Sequence, residues 1–167
     1  KDNDCFFYLY GDKNLIDKEI IRNNIKYKNI KIFHTNSVVS DEETPLTAVK
    51  NSKNSSMWNS INSQIISDAC ISLSAGNTGV LFVISRMILK TMENVSKPAL
   101  AGLWPSKKGM SVVLDLGANV DCDEKNLVDF SELGAALYKS IFPNEKIKVS
   151  LLNIGSEDIK GTESIKK

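Results

Sequence analysis

Six short apolar runs, separated by segments with helical spacing, constrain the fold of this chain more than any other feature. They are "CFFYLYGD" (5–12), "IKIFH" (30–34), "ACISLS" (69–74), "PALAGLW" (98–104), "MSVVLDLG" (110–117) and "IKVSLLNIG" (147–155). Each has strand length and is bounded by glycine, proline or polar residues. Between them, apolar residues recur at three- and four-residue intervals. Leu15, Ile16, Ile20 and Ile21 form one such set; Met57, Ile61 and Ile65 a second; Val80, Leu81, Ile84, Met87 and Ile88 a third. Leu127, Phe130, Leu133, Leu137 and Ile141 form a fourth, stopped by Pro143. Alternating strands and helices with short connections predict an α/β fold with a mostly parallel sheet, and right-handed crossovers place helices on both of its faces. The exception is "PSKKG", which joins 98–104 to 110–117 as a hairpin-like connection, while 35–56 reads as polar loop with a short helix after Pro45. No repeat or low-complexity linker divides the chain, so residues 1–167 read as a single α/β domain. The chain starts without methionine close to an apolar run and ends on a charged stretch, and it reads as part of something longer.

In an open α/β sheet the loops after the strands share one edge, and ligands bind there. Three of those loops have related chemistry: "SLSAGNTG", "LDLGANVD" and "LNIGSEDIKG". Each combines glycine with asparagine or an acid and leads toward a helix start. Backbone N–H groups at a helix N-terminus carry partial positive charge and suit phosphate. A single turn of this kind is weak evidence, because α/β connections use Gly and Asn for steric reasons alone. Three on one predicted edge point to a polar, phosphate-sized site. It is not a standard nucleotide site, since neither a Walker A sequence nor a G-x-G-x-x-G following a strand is present.

Charge and cysteine content narrow the classes further. Lysine and arginine total 21 against 20 acids, a net charge of +1, which gives no support for nucleic-acid binding. The three cysteines, Cys5, Cys70 and Cys122, have no CxxC spacing, and there is one histidine, His34. That set suits a reducing, cytoplasmic setting and predicts no metal site. Cys70 reads as a core residue, Cys122 as structural, and His34 as a surface or packing residue at a strand end. Trp58 and Trp104 read as packing aromatics rather than the lining of a ligand channel, and Lys107-Lys108 as a solvated turn. Asp121 has capping-box spacing to Glu124, with Asp in place of the usual Ser or Thr; it reads equally as a helix cap or as a site residue.

"SAGNTG", "DLGANVDC" and "LLNIGSEDIKG", in this order and spacing, resemble the bacterial phosphate acyltransferases of phospholipid synthesis (the PlsX family). "YGD", "KNSSM" (53–57) and "KPALA" (97–101) agree with that resemblance, which covers nearly the whole chain. It implies a three-layer α/β/α sandwich like that of the isocitrate and isopropylmalate dehydrogenases and phosphotransacetylase, in a homodimer. It implies an enzyme that makes acyl-phosphate from acyl-(acyl carrier protein) and inorganic phosphate, without a cofactor. A peripheral place on the inner membrane face, and glycerol-3-phosphate acyltransferase as a partner, are implied as well. The family's first strand with its Gly-Gly-Asp turn, and its C-terminal portion, have no counterpart in this sequence.

The implied reaction is attack of a phosphate oxygen on a thioester carbonyl. The leaving thiol has a pKa of roughly 8.5 and departs without strong acid help. The main tasks are then positioning and stabilising the tetrahedral oxyanion. Ser74, Gly76, Asn77, Thr78 and Gly79 are assigned to phosphate or the thioester oxygen. Asp115, Gly117, Asn119 and Asp121 are assigned to orienting neighbours or a bound water. Asn153, Gly155, Glu157, Lys160 and Gly161 form the third loop, with Lys160 as the catalytic cation; Asn77, Asp115 and Asn119 complete the catalytic set. Two other readings stay open: a phosphotransacetylase-like or dehydrogenase-like enzyme of the same fold group, and a non-catalytic fragment that binds carrier protein or a membrane surface.

Overall fold

A computed structural model describes residues 5–26, 28–66, 69–107, 109–153 and 155. The chain forms two compact units, residues 1–90 and 91–167.

In the first unit the aromatic run becomes β1 (Phe7–Gly11), and "IKIFH" becomes β2 (Ile30–His34). They pair in parallel, from Phe7 opposite Ile30 to Gly11 opposite His34. A parallel pair needs a crossover, and α1 (Lys13–Arg22) supplies it. Its N-terminus is closed on all sides. The Asp12 carboxylate accepts from the N–H groups of Asn14 (2.8 Å) and Leu15 (3.1 Å), and His34 Nδ1 accepts from Lys13 N–H (3.1 Å). The histidine therefore seals a helix end. On one face of the ladder Tyr10 stacks on Phe33 (4.9 Å between centroids), and Tyr8 meets Phe33 edge-on (5.5 Å).

Three helices follow: α2 (Pro45–Asn51), α3 (Ser56–Ile66) and α4 (Thr78–Leu89). Ser55, fully buried, starts α3 by accepting from Trp58 N–H through its hydroxyl (3.1 Å), which gives part of "KNSSM" a structural role. The core joins Met57 and Ile61 of α3 to Val80 and Ile84 of α4, with Val39 beside them and Trp58, Leu81 and Ile88 packed at its edge. The four-residue spacing places each pair on one helix face. Ile65 and Met87, expected on those faces, are exposed.

The expected buried strand at 69–74 does not form. Cys70, Ile71 and Leu73 are exposed, and Cys70 is therefore no core residue. A strand is held by ladder bonds along its edges, and among the described residues this segment has no ladder partner. It is tethered to α3 instead: the Ser72 hydroxyl donates to the Ser60 carbonyl (2.7 Å) and accepts from the Gln64 side-chain amide (2.9 Å).

The second unit begins with an antiparallel hairpin, β3 (Gly102–Ser106) and β4 (Gly109–Val113), in register from Gly102 opposite Val113 to Ser106 opposite Gly109. The hairpin was expected, but the strand runs further into "PSKKG" than its proline suggests. Pro105 is tolerated because β3 keeps an unpaired edge among the described residues. Trp104 is exposed on this strand and packs no core. The long helix α5 (Glu124–Ile141) follows, ending just before Phe142 and Pro143.

Its cap differs from the expected one. Asp123, rather than Asp121, accepts from Asn126 N–H (2.8 Å), and Asn126 Oδ1 accepts in return from Asp123 N–H (3.2 Å). The box thus pairs Asp with Asn, two residues later than the Asp121–Glu124 spacing indicated. Residues 147–153 are irregular, with Val149, Leu151 and Leu152 exposed, so the last expected strand is also not formed among the described residues. One ladder is parallel and one antiparallel, and the architecture is mixed α/β with a small parallel sheet. Among the described residues no helix is long and apolar enough to cross a membrane.

Candidate functional site

The loop ahead of α4 is built from short polar contacts. The Ser74 hydroxyl accepts from Gly76 N–H (3.2 Å), folding the chain back on itself. A Cβ on Gly76 would lie 3.1 Å from Met57 Cε, so glycine lets this turn approach the core closely. Asn77 is the N-cap of α4. Its Oδ1 accepts from Val80 N–H (3.1 Å), and its Nδ2 donates to the carbonyls of Asp41 and Glu43 (3.1 Å each). Every polar position of that side chain is therefore engaged, and it pins the 41–43 segment to the helix start.

What remains open is the backbone ahead of it. The N–H groups of Thr78 and Gly79 have no acceptor among the described residues, and no acid stands in the first turn of α4. Thr78 and Gly79 are exposed, as is Ser74. Two free amides at the positive end of a helix, flanked by hydroxyls, form an arrangement that accepts an oxyanion. The contrast with the other capped helices is instructive. The first three N–H groups of α1 are consumed by Asp12 and His34, and α5 carries Asp123 and Glu124 at its start, which repel a second anion.

Replacing Asn77 with Ala is expected to lower stability by about 2 kcal/mol, the upper part of the N-cap range. Asn77→Asp keeps the Val80 bond but loses both donors, and its unfolding midpoint in urea is expected to fall between those of wild type and Asn77→Ala. Equal midpoints for all three proteins would show that the 41–43 tether contributes nothing.

In the second unit Asp115 organises its loop. Oδ1 accepts from Leu100 N–H (2.8 Å); Oδ2 accepts from Asn119 N–H (2.7 Å) and Asn119 Nδ2 (3.1 Å). Partial burial alone pushes this carboxyl up, but the N–H groups of Leu100 and Asn119, the Asn119 amide and Ala118 N–H outweigh it together. The net effect holds Asp115 below the ordinary aspartate value. Asn119 Nδ2 also donates to the Pro98 carbonyl (2.8 Å). Gly117 sits at φ +85°, a left-handed conformation that side chains disfavour, which accounts for glycine here. The Asp121 side chain is exposed, and its backbone carbonyl accepts from Lys97 Nζ (2.7 Å).

The structure thus brings Ser74, Gly76, Asn77, Thr78 and Gly79 together at one helix start. It places Asp115, Gly117, Asn119 and Asp121 on one loop of the other unit. Asn153 and Gly155 lie in the irregular segment, both half-buried, and Glu157, Lys160 and Gly161 lie outside the described residues. Sequence reasoning missed Lys97 as a participant; the available signal was its place ahead of Pro98 in "KPALA", on the approach to the same loop.

The family model for "Fatty acid synthesis protein" matches residues 1–167. A phosphate acyltransferase of Pelagibacter ubique is 51% identical over 162 residues, covering 97% of this chain and 48% of the relative. A phosphate acyltransferase of Parvibaculum lavamentivorans is 42% identical over 164 residues (98% and 45%), and one of Agrobacterium fabrum 38% over 167 residues (99% and 47%). The chain spans about half the length of the curated relatives it matches.

Proposed function

This chain belongs to the fatty acid synthesis protein family, and from that premise we propose that it takes part in forming acyl-phosphate from acyl-(acyl carrier protein) and inorganic phosphate, as an acyltransferase of phospholipid synthesis. The observation that carries the reading is the start of α4, where Thr78 and Gly79 offer free amides beside the hydroxyls of Ser74 and Thr78. A dianion without a ring or base to recognise needs little more than this.

In the reaction a phosphate oxygen attacks the thioester carbon and a C–O bond forms. The carbonyl oxygen takes the negative charge of the tetrahedral intermediate. The C–S bond then breaks, the sulfur leaves with the bonding pair, and the thiolate takes a proton from solvent. Phosphate is already anionic near neutral pH, so the protein's work is placement and charge stabilisation. In this scheme the α4 amides hold the phosphate, with Asn77 keeping that helix start in place. Asp115 and Asn119 keep the 115–121 loop in shape, Asp121, Asn153, Gly155, Glu157 and Gly161 are assigned to substrate binding, and Lys160 is the cation for the oxyanion.

The scheme includes one α/β domain over 1–167, part of a three-layer α/β/α sandwich with a mostly parallel sheet, of the isocitrate and isopropylmalate dehydrogenase type. It also includes a homodimer in the cytoplasm, held loosely at the inner membrane face, passing acyl-phosphate to a glycerol-3-phosphate acyltransferase.

The test is release of free carrier thiol from acyl-(acyl carrier protein) by the full-length protein. Release is expected to require inorganic phosphate and to saturate with it. Thiol release independent of phosphate, or none at all, would overturn the reading.

A further inference from the structure

We propose that Lys97 is a positioning residue for the far arm of the 115–121 loop, holding it through the Asp121 carbonyl; the proposal rests on the acyl-phosphate reading, in which that loop faces substrate. The near arm is secured many times over. Leu116 N–H donates to the Leu100 carbonyl (3.0 Å), Asp115 takes Leu100, Ala118 and Asn119, and Asn119 reaches Pro98. Beyond Asn119 these ties stop. Val120 is 98% exposed, and among the described residues the hydrogen bond reaching residues 120–122 is the one from Lys97 Nζ to Asp121 (2.7 Å). An ammonium donating to a carbonyl is a charge-assisted bond, stronger than its neutral counterpart.

Lys97 is itself aimed from behind. Asn126, 2% exposed in the first turn of α5, donates through Nδ2 to the Ser96 hydroxyl (2.7 Å), and Ser96 N–H donates to Asp129 (3.4 Å). Lys125 Nζ reaches the Asn94 carbonyl (3.4 Å). The start of α5 therefore clamps 94–96, and Pro98 confines the preceding residue to extended backbone. Between those two constraints the stem of Lys97 has a set direction. Among the described residues no carboxylate lies in ion-pair range of it, so its charge is free to act on the carbonyl.

The experiment compares full-length wild type with Lys97→Met and Lys97→Arg by hydrogen exchange and by phosphate-dependent thiol release. In Lys97→Met, exchange of the amides in 118–122 is expected to rise about tenfold. Turnover should fall about tenfold with the phosphate KM within about twofold, and the thermal midpoint should stay within about 3 °C of wild type. Lys97→Arg keeps a charged donor and should return exchange and turnover to within about threefold of wild type. Wild-type exchange or turnover in Lys97→Met overturns the proposal, as does an Arg variant no better than Met. A wild-type protein without phosphate-dependent release overturns the acyl-phosphate reading instead, and the exchange data still decide whether Lys97 holds the loop.

Discussion

Lys160→Met in the full-length protein is expected to reduce phosphate-dependent turnover by about 10²- to 10³-fold, the loss typical when one preorganised oxyanion-stabilising group is removed. The chemistry asks for such a group. Phosphate brings its own negative charge to the carbonyl, and the tetrahedral intermediate places a second one on the thioester oxygen. Backbone amides can hold the first, and a fixed cation is the economical answer to the second. Lys160 lies between Gly155 and Gly161 in the stretch "LNIGSEDIKG". Met matches the length of lysine without its charge, so loss of turnover would report on electrostatics rather than on volume. Lys160→Arg should recover part of the rate, and the unfolding midpoint of both variants should stay near that of wild type. Steady-state kinetics decide the matter: turnover of Lys160→Met within about threefold of wild type would remove this residue from the mechanism.

Asp115→Asn is expected to be the most destabilising of the conservative changes, by about 3 kcal/mol at pH 7. The carboxylate accepts from the N–H groups of Leu100, Asn119 and Ala118 and from the Asn119 amide. An amide of the same shape can turn its oxygen to one side of this set only. Its NH₂ group then faces N–H donors on the other side, leaving at least one of them unpaired, and the charge assistance of the remaining bonds is lost. The pH dependence has a definite sign. Because the folded-state pKa of Asp115 is lowered, its ionised form contributes stability that is fully present above the unfolded value of about 3.9. That contribution fades as the pH falls through the lower folded value. Urea midpoints of wild type and Asp115→Asn should therefore lie far apart at pH 7 and converge as the pH falls below the unfolded value. Identical midpoints at pH 7 would mean that the loop does not depend on this carboxylate.

The Asp115 effect is not tied to a helix, and the reason bears on what could be read from residues alone. Helical spacing depends on residues three and four apart, and that information lies within a single stretch of sequence. Met57 with Ile61 and Val80 with Ile84 are buried where the spacing put them. α1 and α5 also form where the spacing put them, as do β1 and β2, whose aromatic and β-branched residues suit a ladder, but Leu15 and Ile21 of α1 and Leu137 and Ile141 of α5 stay exposed. The turns rich in glycine and asparagine were also legible, because the φ angles and side-chain bonds they need are local. Asn77 stands out in the sequence as a ligand group, and in the structure it forms a cap and a tether.

From its residues in order, then, this chain already specified its helices, its first two strands, its hairpin and the polar turns at 74–79 and 115–119. Folding in three dimensions settled the rest: that Asp123 rather than Asp121 opens α5, that 69–74 and 147–153 join no ladder among the described residues, and that Asp115 and Lys97 secure one loop from two directions. The Asp123 cap is local, a contact three residues apart, but the other outcomes turn on partners 15 to 24 residues away or on a neighbouring strand edge. No local pattern encodes such a meeting, because its energy exists only once the intervening chain has closed the loop.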